Sequence, residues 1–116
     1  MISYDDFAKL EIRIGEIRTV EILEGADKLL LLSVNLGETD TDGNPTFRQV
    51  VSGIRQFFDD PAALIGTKCP FLSNLEPRTI RGYESQGMIL AAGGKEGVPF
   101  ALLIPSADLP PGTRVS

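Results

Sequence analysis

The chain has no histidine, no tryptophan and a single cysteine. Lack of imidazole excludes Ser-His-Asp and Cys-His catalysis, histidine-ligated zinc and imidazole acid–base chemistry together. A lone thiol excludes an internal disulfide, and Cys69 sits in the apolar run "CPFL", where a thiol is expected to be a small buried hydrophobe. No run approaches the ~18 apolar residues of a membrane span, so no membrane partner is expected. The start "MISYDDFAKL" is acidic and lacks the apolar segment of a secretory signal, which makes the cytoplasm the expected location. Basic residues are also scarce, 11 against 16 acidic, for a net charge of −5. That balance argues against indiscriminate nucleic-acid binding, which needs a broad positive field. The carboxylate pairs Asp5-Asp6, Asp59-Asp60 and Asp40 with Asp42 fall at helix starts or a loop tip, which are solvated positions. No metal site or cofactor is expected, and the enzyme classes have no nucleophile–base pair to stand on.

What is present is an ordinary globular composition, 42% hydrophobic and 23% charged over 116 residues, enough for one domain spanning 1–116. The charge is unevenly placed. Residues 1–47 carry four basic and ten acidic side chains, a net of −6, and residues 48–116 carry seven and six, a net of +1. A selective site with a few placed arginines belongs on the second half.

Ser3 is an N-cap for a short helix over "YDDFAK", with Asp5 and Asp6 in its first turn. From Leu10 the apolar residues alternate, and the phase changes after Gly15, which predicts one long strand bent at a bulge near Gly15. "LEGADK" is turn chemistry. "LLLLSVNL" is a second strand whose continuous apolar start suggests burial on both faces. "GETDTDGNPT" reads as a long acidic loop, "FRQVVSGI" as a third strand and "DDPAALIG" as a short helix begun by Pro61 and ended by Gly66. "KCPFLSN", "GMILAA" and "VPFALLIP" are strand-like, separated by "LEPRTIRGYESQ" and "GGKEG", and "SADLPPGTRVS" is a turn-rich C-terminal extension. The order predicts an all-β fold, a five-stranded OB-type Greek-key barrel with a short helix between strands 3 and 4. Fold alone does not fix function.

The informative constellation is "NLEPRTIRGYESQGM". Arg78 and Arg81, three residues apart in a turn or short helical stretch, can form a phosphate fork. Ser85 and Gln86 offer hydrogen bonds, Met88 a soft apolar surface for a base, and Asn74 either a base-edge contact or a loop brace. Tyr83 can stack on a base. The competing reading pairs the arginines with Glu76 and Glu84 and puts Met88 in the core; spacing leaves both open. Lys28 in the first hairpin, and Arg48 and Ser52 on the third strand, are further candidates, each equally readable as a solvated side chain.

From about Tyr4 to Val115 the chain resembles the tRNA-binding domain at the C-terminus of bacterial methionyl-tRNA synthetases, in free-standing tRNA-binding proteins and in EMAP II-type precursors. The stretches that carry it are "DDFAKLEIRIGEI", "GADKLLLLSVNLGE", "RQVVSGI", "LIGTKCPFLSNLEPRTIRGYESQGMILAA" and "PPGTRV". The resemblance implies an OB barrel without catalytic activity that binds tRNA by shape, as a homodimer or attached to an aminoacyl-tRNA synthetase. It places Asn74, Arg78, Arg81, Ser85 and Met88 on the RNA-facing motif, with Lys28 and Ser52 beside it. The acidic loop and negative net charge depart from the pattern and imply selective binding. The alternative is a protein-interaction module or an export-chaperone-like dimer of the same fold, supported by the acidic first half and apolar strand edges.

Overall fold

The computed structural model describes residues 1–116. Helix α1 (Tyr4–Ala8) opens on a reciprocal cap: the Ser3 hydroxyl accepts from the Asp6 N–H at 3.2 Å, and the Asp6 carboxylate accepts from the Ser3 N–H at 3.1 Å. This satisfies two donors that a helix start leaves orphaned. None of its residues is buried, so the helix leads into the barrel without adding to its core.

The barrel is built from β1 (Ile12–Ile22), β2 (Leu30–Thr39), β3 (Pro45–Ser52) and β4 (Lys68–Leu72), followed by the short strands β5 (Arg78–Ile80), β6 (Tyr83–Ser85) and β7 (Met88–Ile89). Ala91–Ala92 (β8) and Ala101–Leu102 (β9) form a separate pair, and Arg114–Val115 (β10) returns to the start of β1. The main sheet runs β3-β2-β1-β4-β7, antiparallel throughout. Residues Ile12–Glu16 of β1 pair with β4, and Glu16–Ile22 pair with β2. One long strand thus serves both halves of a curled five-stranded sheet, the geometry that turns a sheet into a barrel. This is the OB-type architecture that the element order predicted.

Three local expectations are corrected. The register break in β1 lies between Ile17 and Thr19, not at Gly15. Gly15 serves core packing instead. A Cβ there would stand 2.7 Å from both Phe71 Cδ1 and Val34 Cγ1, so the missing side chain makes room for the Phe71 ring inside the barrel. The expected long acidic loop is a tight turn at residues 40–44, because β2 runs on to Thr39 and β3 starts at Pro45. The Asp40 carboxylate accepts from the N–H groups of Asp42 and Asn44, both at 2.9 Å, and closes it. The helix after strand 3 is two 3-10 segments, Arg55–Phe57 and Pro61–Leu64, the second capped by Asp60.

Phe71, Ile17, Leu30, Leu32, Val34, Val50 and Cys69 are almost fully enclosed, and a large apolar side chain so buried contributes about 1.5–3 kcal/mol. The run at the start of β2 is buried on both faces, as its composition suggested. Leu30 and Leu32 point into this main core, while Leu31 joins Leu23, Ala26 and Val51 in a second, smaller cluster against which Leu29 and Ile80 pack. That second cluster fixes the candidate site.

Candidate nucleic-acid interface

The segment expected as an irregular loop is a β-hairpin. β5 and β6 pair as Arg78↔Ser85, Thr79↔Glu84 and Ile80↔Tyr83. Arg81 (φ +53°) and Gly82 (φ +84°) form the two-residue turn, the double left-handed geometry that matches strand twist. Arg78 and Arg81 therefore do not sit side by side as in a helical stretch; three residue steps along extended chain put their Cα atoms roughly 10 Å apart. Neither is in a salt bridge, so the expected pairing with Glu76 and Glu84 does not form. Both residues are exposed. Arginine at the turn is notable physically, since a non-glycine residue at positive φ costs on the order of 1–2 kcal/mol.

Ile80 packs into the small cluster made by Leu23, Ala26, Leu29, Leu31 and Val51. The hairpin tip is thereby held beside the turn between β1 and β2, where Lys28 is exposed and unpaired. Lys28 and the two arginines, about 50 residues further along the chain, come to one end of the barrel.

The other side of the hairpin meets β3 along a seam where side chains replace a strand ladder. The Val51 N–H donates to the Ser85 hydroxyl at 3.0 Å, which donates on to the Gly87 carbonyl at 3.1 Å. The Gln86 side-chain oxygen accepts from the Gln49 N–H at 3.0 Å, the Gln86 N–H donates to the Gln49 carbonyl at 2.8 Å, and the Gln49 amide donates to the Glu84 carbonyl at 2.9 Å. Arg48 locks the end of the seam: it grips both carboxylate oxygens of Glu38, at 2.8 and 2.7 Å, and donates to the carbonyls of Ser73 and Gln86. The bidentate Arg48 partner, ahead of Coulomb attraction, holds the Glu38 carboxyl below its ordinary range, and Glu38 in turn raises Arg48.

These contacts sort the expected residues. Arg78, Ser85 and Met88 line one hollow of about 60 Å³ beside Ile80 and Val51. Within it, Arg78 and Met88 are exposed and Ser85 is buried with its hydroxyl committed to backbone. Tyr83 is exposed on β6. Asn74 stands apart from them. Its carbonyl accepts from the Glu11 N–H at 2.8 Å and its amide donates to the Lys9 carbonyl at 2.7 Å, so both ends of the side chain brace the chain ahead of β1. Arg48 lines a separate hollow with Glu38, Pro77 and Gln86, its guanidinium spent on the seam. Ser52 is buried on the third strand. Cys69 is enclosed, and burial pushes its thiol up to about 12, the inert behaviour expected of it. Gln86 was visible in the sequence as a hydrogen-bonding side chain, but its partner Gln49 was not, because the partnership spans 37 residues.

A family model described as "Putative tRNA binding domain" matches residues 12–114. The chain is 48% identical over 115 residues to the methionine–tRNA ligase of Deinococcus radiodurans, covering 99% of this chain and 16% of that protein. It therefore spans about one sixth of the length of that relative. The fold overlays on the crystal structure of a MetRS related protein from Pyrococcus horikoshii with TM-score 0.86 and 29% identity, covering 100% of this chain and 98% of that one. On the chaperone CsaA from Bacillus anthracis the TM-score is 0.81 with 28% identity, covering 100% and 99%. With a matching family model over nearly its whole length and the barrel to go with it, the chain belongs to the tRNA-binding domain family.

Proposed function

We propose that this chain is a non-catalytic module that grips structured tRNA at the end of the barrel formed by the β5–β6 hairpin and the β1–β2 turn, supplying affinity to a methionyl-tRNA synthetase or acting alone. The observation that carries the reading is the exposed, unpaired pair Arg78 and Arg81 on a hairpin docked rigidly beside Lys28, with Met88 and Tyr83 open next to them. Arginines take the backbone, and the apolar side chains meet unstacked bases, since A-form stems offer little sequence to protein side chains. Ser85 and Arg48 act by holding this surface, while Asn74 braces the chain ahead of β1. Ser52 borders it from the third strand. The net charge of −5 makes binding depend on these few side chains and not on a general field. Arg78→Ala with Arg81→Ala is expected to weaken tRNA binding and lower the log–log salt slope by about 0.7–0.9 per lost phosphate contact. Gel shift and fluorescence titration from 50 to 300 mM salt measure both; unchanged affinity and slope refute the assignment.

The module works as a homodimer in this reading. Leu102, Leu103, Ile104, Pro105 and Val115 border an apolar groove of about 410 Å³ with Ile14 and Pro70, and Leu103 and Ile104 are 44% and 61% exposed. A two-fold partner would cover that surface. Light scattering at micromolar concentration is expected to give twice the chain mass, and a monomer mass rejects the dimer. The same groove and the likeness to a chaperone support a second reading, a binder of unfolded polypeptide. Gel shift against bulk tRNA, a plain duplex and an unfolded polypeptide separates the two.

A further inference from the structure

On the far side of Met88 from Arg78 lies a larger cleft, about 460 Å³, between the end of β3 with its following 3-10 turn and the β8–β9 hairpin. Met88 and Val51 line both this cleft and the hollow that holds Arg78, so the two adjoin at these side chains. The floor is apolar, with Ile89 beside Val51, and the Phe57 ring, stacked on Phe100 with centroids 4.4 Å apart, makes one wall.

The polar groups facing it have nothing else to do. Ser52 is 7% exposed and its hydroxyl makes no hydrogen bond inside the chain. No fully enclosed side-chain polar atom lacks a partner, so that hydroxyl keeps contact with solvent, and the cleft is what it borders. Gln56 is exposed at the margin with both ends of its amide free. Lys95, the one charged residue lining the cleft, is in no salt bridge. The loop that carries it is closed by two backbone hydrogen bonds, from the Gly94 N–H to the Val98 carbonyl at 2.9 Å and from the Val98 N–H to the Lys95 carbonyl at 3.0 Å. Gly93 has φ +74° and a Cβ there would lie 1.9 Å from the Pro99 carbonyl oxygen, while Gly94 lies against Phe57, where a Cβ would be 2.8 Å from the ring.

We propose that this cleft takes one unstacked nucleotide of the bound RNA, its base against the apolar floor, its edge hydrogen-bonded by Ser52 and Gln56, and its phosphate held by Lys95. The volume falls in the range of small-molecule sites, the set of donors and acceptors suits a base edge, and the lone cation suits a backbone already neutralised next door by Arg78. The inference rests on the tRNA-binding reading above and extends it to a second subsite.

Three variants of the full chain test it in tRNA titrations. Lys95→Ala is expected to weaken binding about 5- to 10-fold near 0.1 M salt and lower the log–log slope by about 0.7. Gln56→Ala is expected to cost about 5-fold with the slope unchanged, since it removes a neutral hydrogen bond. Adenosine monophosphate at millimolar concentration is expected to shift the amide resonances of Ser52 and Gly94 and not that of Arg81. Wild-type affinity and slope in both variants, with the third, Arg78→Ala combined with Arg81→Ala, still impaired, overturn the cleft and leave the tRNA reading standing. Failure of the unaltered chain to bind tRNA overturns both.

Discussion

Arg48 ties β3 to Glu38 on β2 and to the segments on either side of the hairpin, and replacing it by methionine removes the guanidinium while keeping the apolar stem. Four hydrogen bonds go with it: two to Glu38, one to the Ser73 carbonyl and one to the Gln86 carbonyl. A hydrogen bond from a charged donor is worth about 1.5 kcal/mol or more, and an acceptor left unpaired in the interior costs a similar amount. Ser73 is 5% exposed, so its carbonyl cannot turn to water. The Glu38 end counts for less, about 0.5–1 kcal/mol, because that carboxylate is 40% exposed and rehydrates. The expected loss is about 3–4 kcal/mol, or roughly 12–16 °C in thermal midpoint for a chain of this length. Thermal unfolding at neutral pH and urea midpoints measure the total. Hydrogen exchange locates it: the Val51 and Gln86 amides along the seam should exchange faster than those in β1 and β2. Arg48→Lys should recover only part, since an ammonium cannot span the carboxylate and both carbonyls. A midpoint loss below about 3 °C with unchanged exchange at the seam would refute the claim that Arg48 locks the seam.

Two other perturbations follow from the same physics. Glu38 holds its proton less tightly in the folded chain than its ordinary value of 4.5; its stabilisation is complete above that value and is lost as pH falls through the lower folded value. Urea midpoints between pH 7 and 3 should therefore fall less steeply in Glu38→Gln than in the unaltered chain, and parallel curves would remove Glu38 from the acid response. Gly15→Ala drives a methyl into Phe71 and Val34 and should cost about 1–3 kcal/mol by overpacking. Adding Phe71→Leu should cost less in the Gly15→Ala background than in the unaltered chain, and simple additivity in a double-mutant cycle would show that the two do not meet.

The order of strands was legible because local chemistry set it. Alternation marked β1, the unbroken leucines marked a doubly buried β2, and Ser3 with Asp6 marked the helix start. The misplaced bulge is instructive. A glycine at a phase change suggests a backbone irregularity, but Gly15 is there for the ring of Phe71, 56 residues on, and no local pattern reports such a partner. Arg78 and Arg81 were visible as chemistry and ambiguous as a site, since pairing with Glu76 and Glu84 was equally compatible with their spacing. Two-residue turn geometry, with Arg81 and Gly82 both at positive φ, sets the arginines apart, and neither forms the ion pair that their spacing allowed.

Composition by itself determined what this protein lacks: histidine chemistry, a disulfide and a general positive field. Local pattern determined the strand sequence and, with it, the OB barrel. Only the tertiary structure decided which of the polar residues were free. Ser85, Asn74 and Arg48 carry groups as suited to RNA as any, yet each is consumed by backbone partners that include one between 34 and 65 residues away. Arg78 and Arg81 remain open on a hairpin that Ile80 anchors in a small apolar cluster, and Lys28 and Met88 stay exposed on the neighbouring β1–β2 turn and on β7. Hydrogen-bonding capacity is a property of residue type; its availability depends on long-range contacts, and those exist only once the chain has folded.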